Sequence, residues 1–140
     1  MVSIKETYLY NSVIKELNYS FGNVFIFENF VVSEINRGVN FNWDDHGKTI
    51  TEDVAYYLDT NGINLVYISH RINSYSVVAS DWLKFFKHSY NLKGYYIVSE
   101  NNIGFLNSLI ENLFFNGKIK RFTTIEAAVN WVKIGINEVM

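Results

Sequence analysis

Between Leu65 and Trp131 a short apolar run followed by a stretch of helical period occurs three times. Strands that alternate with helices specify a parallel or mixed sheet, and ligand sites in such sheets tend to lie at the carboxyl ends of the strands. The runs are Leu65-Val66-Tyr67-Ile68, Tyr95-Tyr96-Ile97-Val98 and the shorter Ile119-Lys120-Arg121-Phe122. The first two are continuously apolar, as expected of strands covered on both faces or set centrally, and the third reads as an edge. The crossover after the first run, Ser69-His70-Arg71-Ile72-Asn73-Ser74-Tyr75-Ser76, is packed with polar groups and marks an expected functional edge.

The upstream half reads as strands. Val13 to Ser20 and Val24 to Phe27 flank a turn at Phe21-Gly22-Asn23, which predicts a hairpin. Phe30 to Ile35 extends the β-rich region, and Val39, Phe41 and Trp43 alternate with asparagine as in a half-exposed edge strand. Four helices are expected. Thr49-Ile50-Thr51-Glu52 fits a capping box ahead of a stripe of Ile50, Val54, Tyr57 and Leu58, with Gly62 as a stop. The second helix aligns Val78, Trp82, Phe85 and Phe86, with Ser76 or Ser80 as its cap. The third, capped by Asn102, carries Ile103, Leu106, Ile110, Leu113 and Phe114 as its apolar stripe. The last opens with a second box, Thr123-Thr124-Ile125-Glu126, and aligns Ile125, Val129, Val132 and Ile136. The fold class is therefore α/β, in one domain over 1–140, with residues 1–12 read as a flexible or added N-terminal segment.

A chain of 140 residues that is 49% apolar supports one self-sufficient core and not two. Eleven Phe, ten Tyr and three Trp exceed what a core of this size needs, which leaves room for a surface patch and a homodimer. A net charge of -2 disfavours nucleic acid, whose binders carry a basic excess on one face. No cysteine is present, so disulfides, thiolate metal sites and a cysteine nucleophile are excluded. Met1 to Thr7 lacks the pattern of a signal peptide and no apolar stretch reaches the roughly 20 residues of a membrane helix, so the expected location is the cytoplasm.

Ser69, His70, Arg71, Ser74 and Ser76 are the candidate ligand- or partner-binding residues. Hydroxyls at a helix entrance can bind an anion, and Ser74 or Ser76 there can accept a phosphate. The plain alternative is that a serine caps the helix while His70 and Arg71 are solvated. Asp44-Asp45-His46-Gly47 pairs carboxylates with imidazole, as an acid–base pair or metal site would, yet three consecutive side chains converge poorly on one ion and Asp is common as a helix cap. Neither G-x-G-x-x-G, G-x-x-x-x-G-K-[ST] nor G-x-S-x-G occurs. Lys118, Lys120 and Arg121 fit a charged edge strand that resists pairing, or a meeting point for an acidic partner. The aromatics Tyr56-Tyr57, Trp82, Phe85-Phe86, Tyr95-Tyr96 and Phe114-Phe115 read mostly as core, and as pocket lining in the minority reading.

Laid out in this order, Leu65 to Val132 resembles the STAS domain, the SpoIIAA-like anti-sigma-factor antagonist fold, including its STAS/SEC14-type branch. The resemblance rests on Asn64-Leu65-Val66-Tyr67-Ile68 with its polar crossover, on Gly94-Tyr95-Tyr96-Ile97-Val98 followed by Gly104-Phe105-Leu106, and on Phe122-Thr123-Thr124-Ile125-Glu126-Ala127-Ala128. It implies a SpoIIAA-like mixed sheet, an N-terminal hairpin region followed by a helix and three strand–helix units. Signalling members carry an Asp-Ser-Ser-Gly-like phosphorylation motif at the second helix entrance, where this chain reads Asn73-Ser74-Tyr75-Ser76-Val77. Ser74 and Ser76 are thus carried over as phosphorylation candidates only. A receiver or flavodoxin-like fold would need an acidic pair or phosphate loop after the first strand, and Phe21-Gly22-Asn23 supplies neither. The leading expectation is a non-enzymatic, cofactor-free regulatory module that meets a protein partner through residues 69–76. A small apolar or lipid-like ligand held between sheet and aromatic helix faces is the alternative. An enzyme using His46 or His70 with Asp44, Asp45 or a serine is third.

Overall fold

A computed structural model describes residues 1–139, without the side chains of 102–105 and 136–139. Six strands form one mixed sheet: β1 (Lys15–Tyr19), β2 (Gly22–Ile26), β3 (Phe30–Ile35), β5 (Val66–His70), β7 (Gly94–Val98) and β8 (Ile119–Phe122), side by side in that order. The first three are antiparallel neighbours, and β3, β5, β7 and β8 run parallel. The predicted apolar runs become β5 and β7 inside the sheet, and the charged run becomes edge strand β8. The hairpin turn sits earlier than predicted. Tyr19 pairs with Gly22, so Ser20 and Phe21 form the loop, and a Cβ at Gly22 would lie 2.5 Å from the Glu34 carbonyl.

Helices α1 (Lys48–Leu58), α2 (Trp82–Lys87) and α3 (Asn102–Glu111) are the crossovers between successive parallel strands, and α4 (Ile125–Val139) follows β8. Successive strands are added in one direction, so the usual right-handed crossover places the first three helices on one face of the sheet. The opposite face is sealed. Alternate residues Phe30 and Val32 of β3, Val66 and Ile68 of β5, and Tyr96 and Val98 of β7 pack there against Ile125, Ala128, Val129 and Val132 of α4. Ile136 and Ile103 of the predicted stripes, and Asn102 as a cap, lie outside the described side chains.

Several local expectations are corrected. Only Asn40–Phe41 (β4) of the predicted edge strand pairs, and it pairs with Ser76–Val77 (β6) in a separate two-stranded sheet. Trp43 instead opens a π-helical turn over Trp43–Gly47, where the Asn42 carboxamide oxygen accepts from the Asp45 N–H at 2.9 Å. The chain runs from that turn directly into α1, so the capping box at Thr49 does not form. Helix α2 takes no serine cap, since Ser76 belongs to β6 and a 3-10 turn over Ala79–Asp81 leads into the helix. Thr124 rather than Thr123 caps α4, accepting from the Ala127 N–H at 3.2 Å. The largest departure is α3, whose predicted inward residues Leu106, Ile110 and Leu113 are exposed, Leu113 by 78%, while Ser108 and Glu111 are buried.

Residues 1–12, read above as flexible or added, are docked on the sealed face. Ile4 and Leu9 join its core, on two short 3-10 turns over Ile4–Glu6 and Tyr8–Ser12. Glu34 of β3 holds the segment: its carboxylate accepts from the Ser3 hydroxyl at 2.6 Å and from the Ile4 N–H at 2.7 Å. It also contacts His70 Nδ1 of β5 at 2.8 Å. Burial works to raise the Glu34 pKa, but the bonds from His70, Ile4 and Ser3 outweigh it and hold the carboxyl below its usual value. A carboxylate only accepts, so Nδ1 carries the proton in that pair.

A depressed folded-state pKa contributes stability above the unfolded value of about 4.3, and that contribution is lost as pH falls through the folded value. Denaturant titrations from pH 7 down to about pH 3 are therefore expected to show a steeper stability loss in the wild type than in Glu34→Gln. Parallel curves would contradict this account of the clamp.

Candidate functional site

The face under α1 and α2 is not sealed along its length. Between α1, α2 and the sheet lies an apolar cleft of about 970 Å³ including its open mouth. Its floor is Val31 of β3, Tyr67 of β5 and Tyr95 of β7, the residues of opposite parity to the sealed core. One wall is α1, through Ile50, Val54 and Ala55, and the other is α2, through Trp82 and Phe85. The β4–β6 pair and the π-helical turn contribute Phe41, Trp43 and Val77 to the lining. The loops bearing Gly62 and Tyr90 complete the lining, with the Tyr90 ring 6.3 Å from that of Trp43. Gly62 has φ of 98°, and a Cβ there would stand 2.1 Å from the Asn91 carbonyl, so only glycine lets these loops meet.

A buried polar network forms one end of the floor. The Arg71 guanidinium donates to Glu111 Oε2 at 2.6 Å and to the Tyr95 hydroxyl at 3.0 Å. Glu111 Oε1 accepts from the Tyr95 hydroxyl at 2.6 Å and the Trp82 indole N–H at 3.2 Å. Arg71 Nε reaches the Ser69 hydroxyl, which also bonds the Tyr75 hydroxyl at 2.7 Å, and the guanidinium carbon lies 5.5 Å from the Tyr75 ring centroid. The Tyr67 hydroxyl pairs with Ser33 at 2.6 Å. Burial pushes the Tyr95 phenol up, with Glu111 adding to the shift, and burial likewise raises Tyr67. Both phenols are therefore protonated at neutral pH and act as hydrogen-bonding groups rather than anions.

Of the five crossover candidates, three face inward. Ser69 is buried in the network, and Arg71, with a side chain 6% exposed, is ion-paired rather than solvated. His70 is fully buried on the other face of the sheet with Glu34, and its Nε2 has no partner among the described residues. Ser74 and Ser76 are exposed, and the Ser76 hydroxyl donates to the Asn40 carboxamide oxygen at 2.8 Å. The Asp44-Asp45-His46 stretch does not converge. Asp44 faces Lys84 at 3.3 Å, Asp45 meets the Asn42 carboxamide, and His46 Nδ1 accepts from the Asn42 N–H while its ring stacks on Phe41. Among the described residues no three His, Cys, Asp or Glu side chains gather as metal ligands would. Lys120 on β8 lies over the Trp131 ring at 5.0 Å, away from the cleft.

Trp82, Phe85 and Tyr95 of the suggested aromatic lining do line the cleft, whereas Tyr56 and Tyr57 are exposed and are not part of it. Sequence reasoning missed Glu111, Glu34, Trp43 and Tyr90. Glu34 had a signal in its inward parity with Phe30 and Val32, because a carboxylate at such a position demands partners. No family model, no curated protein and no solved structure gives a significant match to the chain. Among the described residues no helix is long and apolar enough to cross a membrane.

Breaking a buried ion pair by removing one partner typically costs about 3–5 kcal/mol, whereas replacing both with apolar residues is often near neutral. Arg71→Met is accordingly expected to lose stability in that range, and Arg71→Met/Glu111→Leu to regain part of it, in a double-mutant cycle by urea unfolding. Losses that simply add would contradict the pairing.

Proposed function

We propose that this chain is a non-enzymatic binding protein that holds a small, largely apolar molecule in the cleft between α1, α2 and the sheet. The observation that carries the reading is the cleft itself: a concave, largely apolar site with a few polar groups fixed within it. The polar groups support it further. Glu111 accepts three hydrogen bonds, from Arg71, Tyr95 and Trp82, which hold these side chains in place before anything enters. Catalysis finds less support, since neither His46 nor His70 bonds Asp44, Asp45 or a serine hydroxyl.

A STAS-like regulatory module that meets a protein partner at the outer part of the crossover is the second reading. Exposed Ser74 and Ser76 favour it, together with the order of elements, three strands and a helix followed by three strand–helix units. The two readings differ in what they require of the cleft.

The neutral fluorophore N-phenyl-1-naphthylamine separates them. Saturable binding at one site per chain is expected, weakened at least about tenfold in Ala55→Phe, which fills the α1 wall, with unchanged circular dichroism. No saturable binding, or equal binding by the variant, would overturn the ligand reading and leave the interaction module in front.

A further inference from the structure

Resting on the ligand reading above, we infer that the cleft selects an organic cation with an apolar body, an alkyl- or arylammonium, over a carboxylate of the same body. The lining carries eight aromatic residues, and its charged members are Asp81 and Glu111; no lysine, arginine or histidine lines it among the described residues. Aromatic faces are the negative side of the ring quadrupole, and quaternary ammonium groups are recognised by cages of such faces.

Six of these rings form one contiguous group. Tyr67 and Tyr95 stack in parallel on the floor, with centroids 5.3 Å apart and planes 2° apart. Trp82 leans over Tyr95 at 4.8 Å and meets Phe85 edge to face, while Phe85 stacks with Tyr90. Trp43 completes the group, 6.1 Å from Phe85.

The counter-charges lie behind this surface. The Glu111 charge is balanced by Arg71 and its oxygens are taken by Arg71, Tyr95 and Trp82, which leaves Asp81 as the acidic group of the lining that can act on an entering head. Asp81 accepts from the Trp43 N–H at 2.7 Å, and its nearest cation is Lys84, 3.6 Å away, half-exposed and shared with Asp44. An anionic head would be desolvated against carboxylates and ring faces, with the Trp82 indole N–H and the Tyr95 hydroxyl already committed to Glu111. A cationic head meets attraction from Asp81.

Displacement of N-phenyl-1-naphthylamine by decyltrimethylammonium, decanol and decanoate, each below its micelle concentration, tests the inference. The ammonium is expected to displace the probe at a concentration at least about tenfold lower than decanoate, with decanol between them. Asp81→Asn is expected to narrow the interval between ammonium and decanoate. Decanoate displacing as well as the ammonium or better would overturn the charge preference while leaving an apolar site. Failure of the fluorophore and all three competitors to bind would overturn both this inference and the reading on which it rests.

Discussion

The buried contact between Arg71 and Glu111 organises the helix-covered half of this molecule. It ties the end of β5 to the end of α3 across Tyr95 of β7, and through the Trp82 indole it also fixes the start of α2. Two charges removed from water are tolerated only when each finds its counterpart and its remaining hydrogen bonds, and here both do. That requirement sets the rotation of α3. With Ser108 and Glu111 turned to the sheet, the leucine-rich face of the helix is left outside.

The two faces of the sheet then have different fates. One is a dry core in which α4 and the N-terminal segment cover alternate residues of β2, β3, β5 and β7, with the Glu34–His70 contact clamping the segment in place. The other divides into smaller clusters, one beneath α1 and one around Tyr95, Ile97 and Phe115. The cleft lies along Val31, Tyr67 and Tyr95, where α1 and α2 stand apart on the same floor. A short α2 of six residues, entered from β6 through the single 3-10 turn over Ala79–Asp81, leaves this space unfilled.

Period and run length made the strand–helix order legible, because Leu65 to Ile68, in β5 and the residue before it, and Tyr95 to Val98, in β7, are uninterrupted apolar runs, and the stripe of Ile125, Val129 and Val132 is buried as its spacing predicts. Helix α3 was misread for a definite reason: its stripe of Leu106, Ile110 and Leu113 has helical period, but period reveals an amphipathic face without saying which charge will be buried. Glu111 lies 40 residues from Arg71 in the chain, so the contact that overrides the stripe has no local signal. The cleft was legible only in part. Trp82, Phe85 and Tyr95 could be suspected from their density, whereas Trp43 and Tyr90 reach it through a π-helical turn and a loop whose paths depend on long-range contacts such as the Asp81 carboxylate on the Trp43 N–H.

The central claim is that one face of the sheet carries an accessible apolar site and the other does not. Its most direct test is the ¹⁵N–¹H spectrum of the three tryptophan indoles during titration with a small apolar ligand. Trp43 and Trp82 line the cleft, while Trp131 sits on α4 at the opposite face. Saturable shifts of the Trp43 and Trp82 indole signals with Trp131 unmoved are the predicted result; shifts led by Trp131, or uniform across all three, would contradict the account.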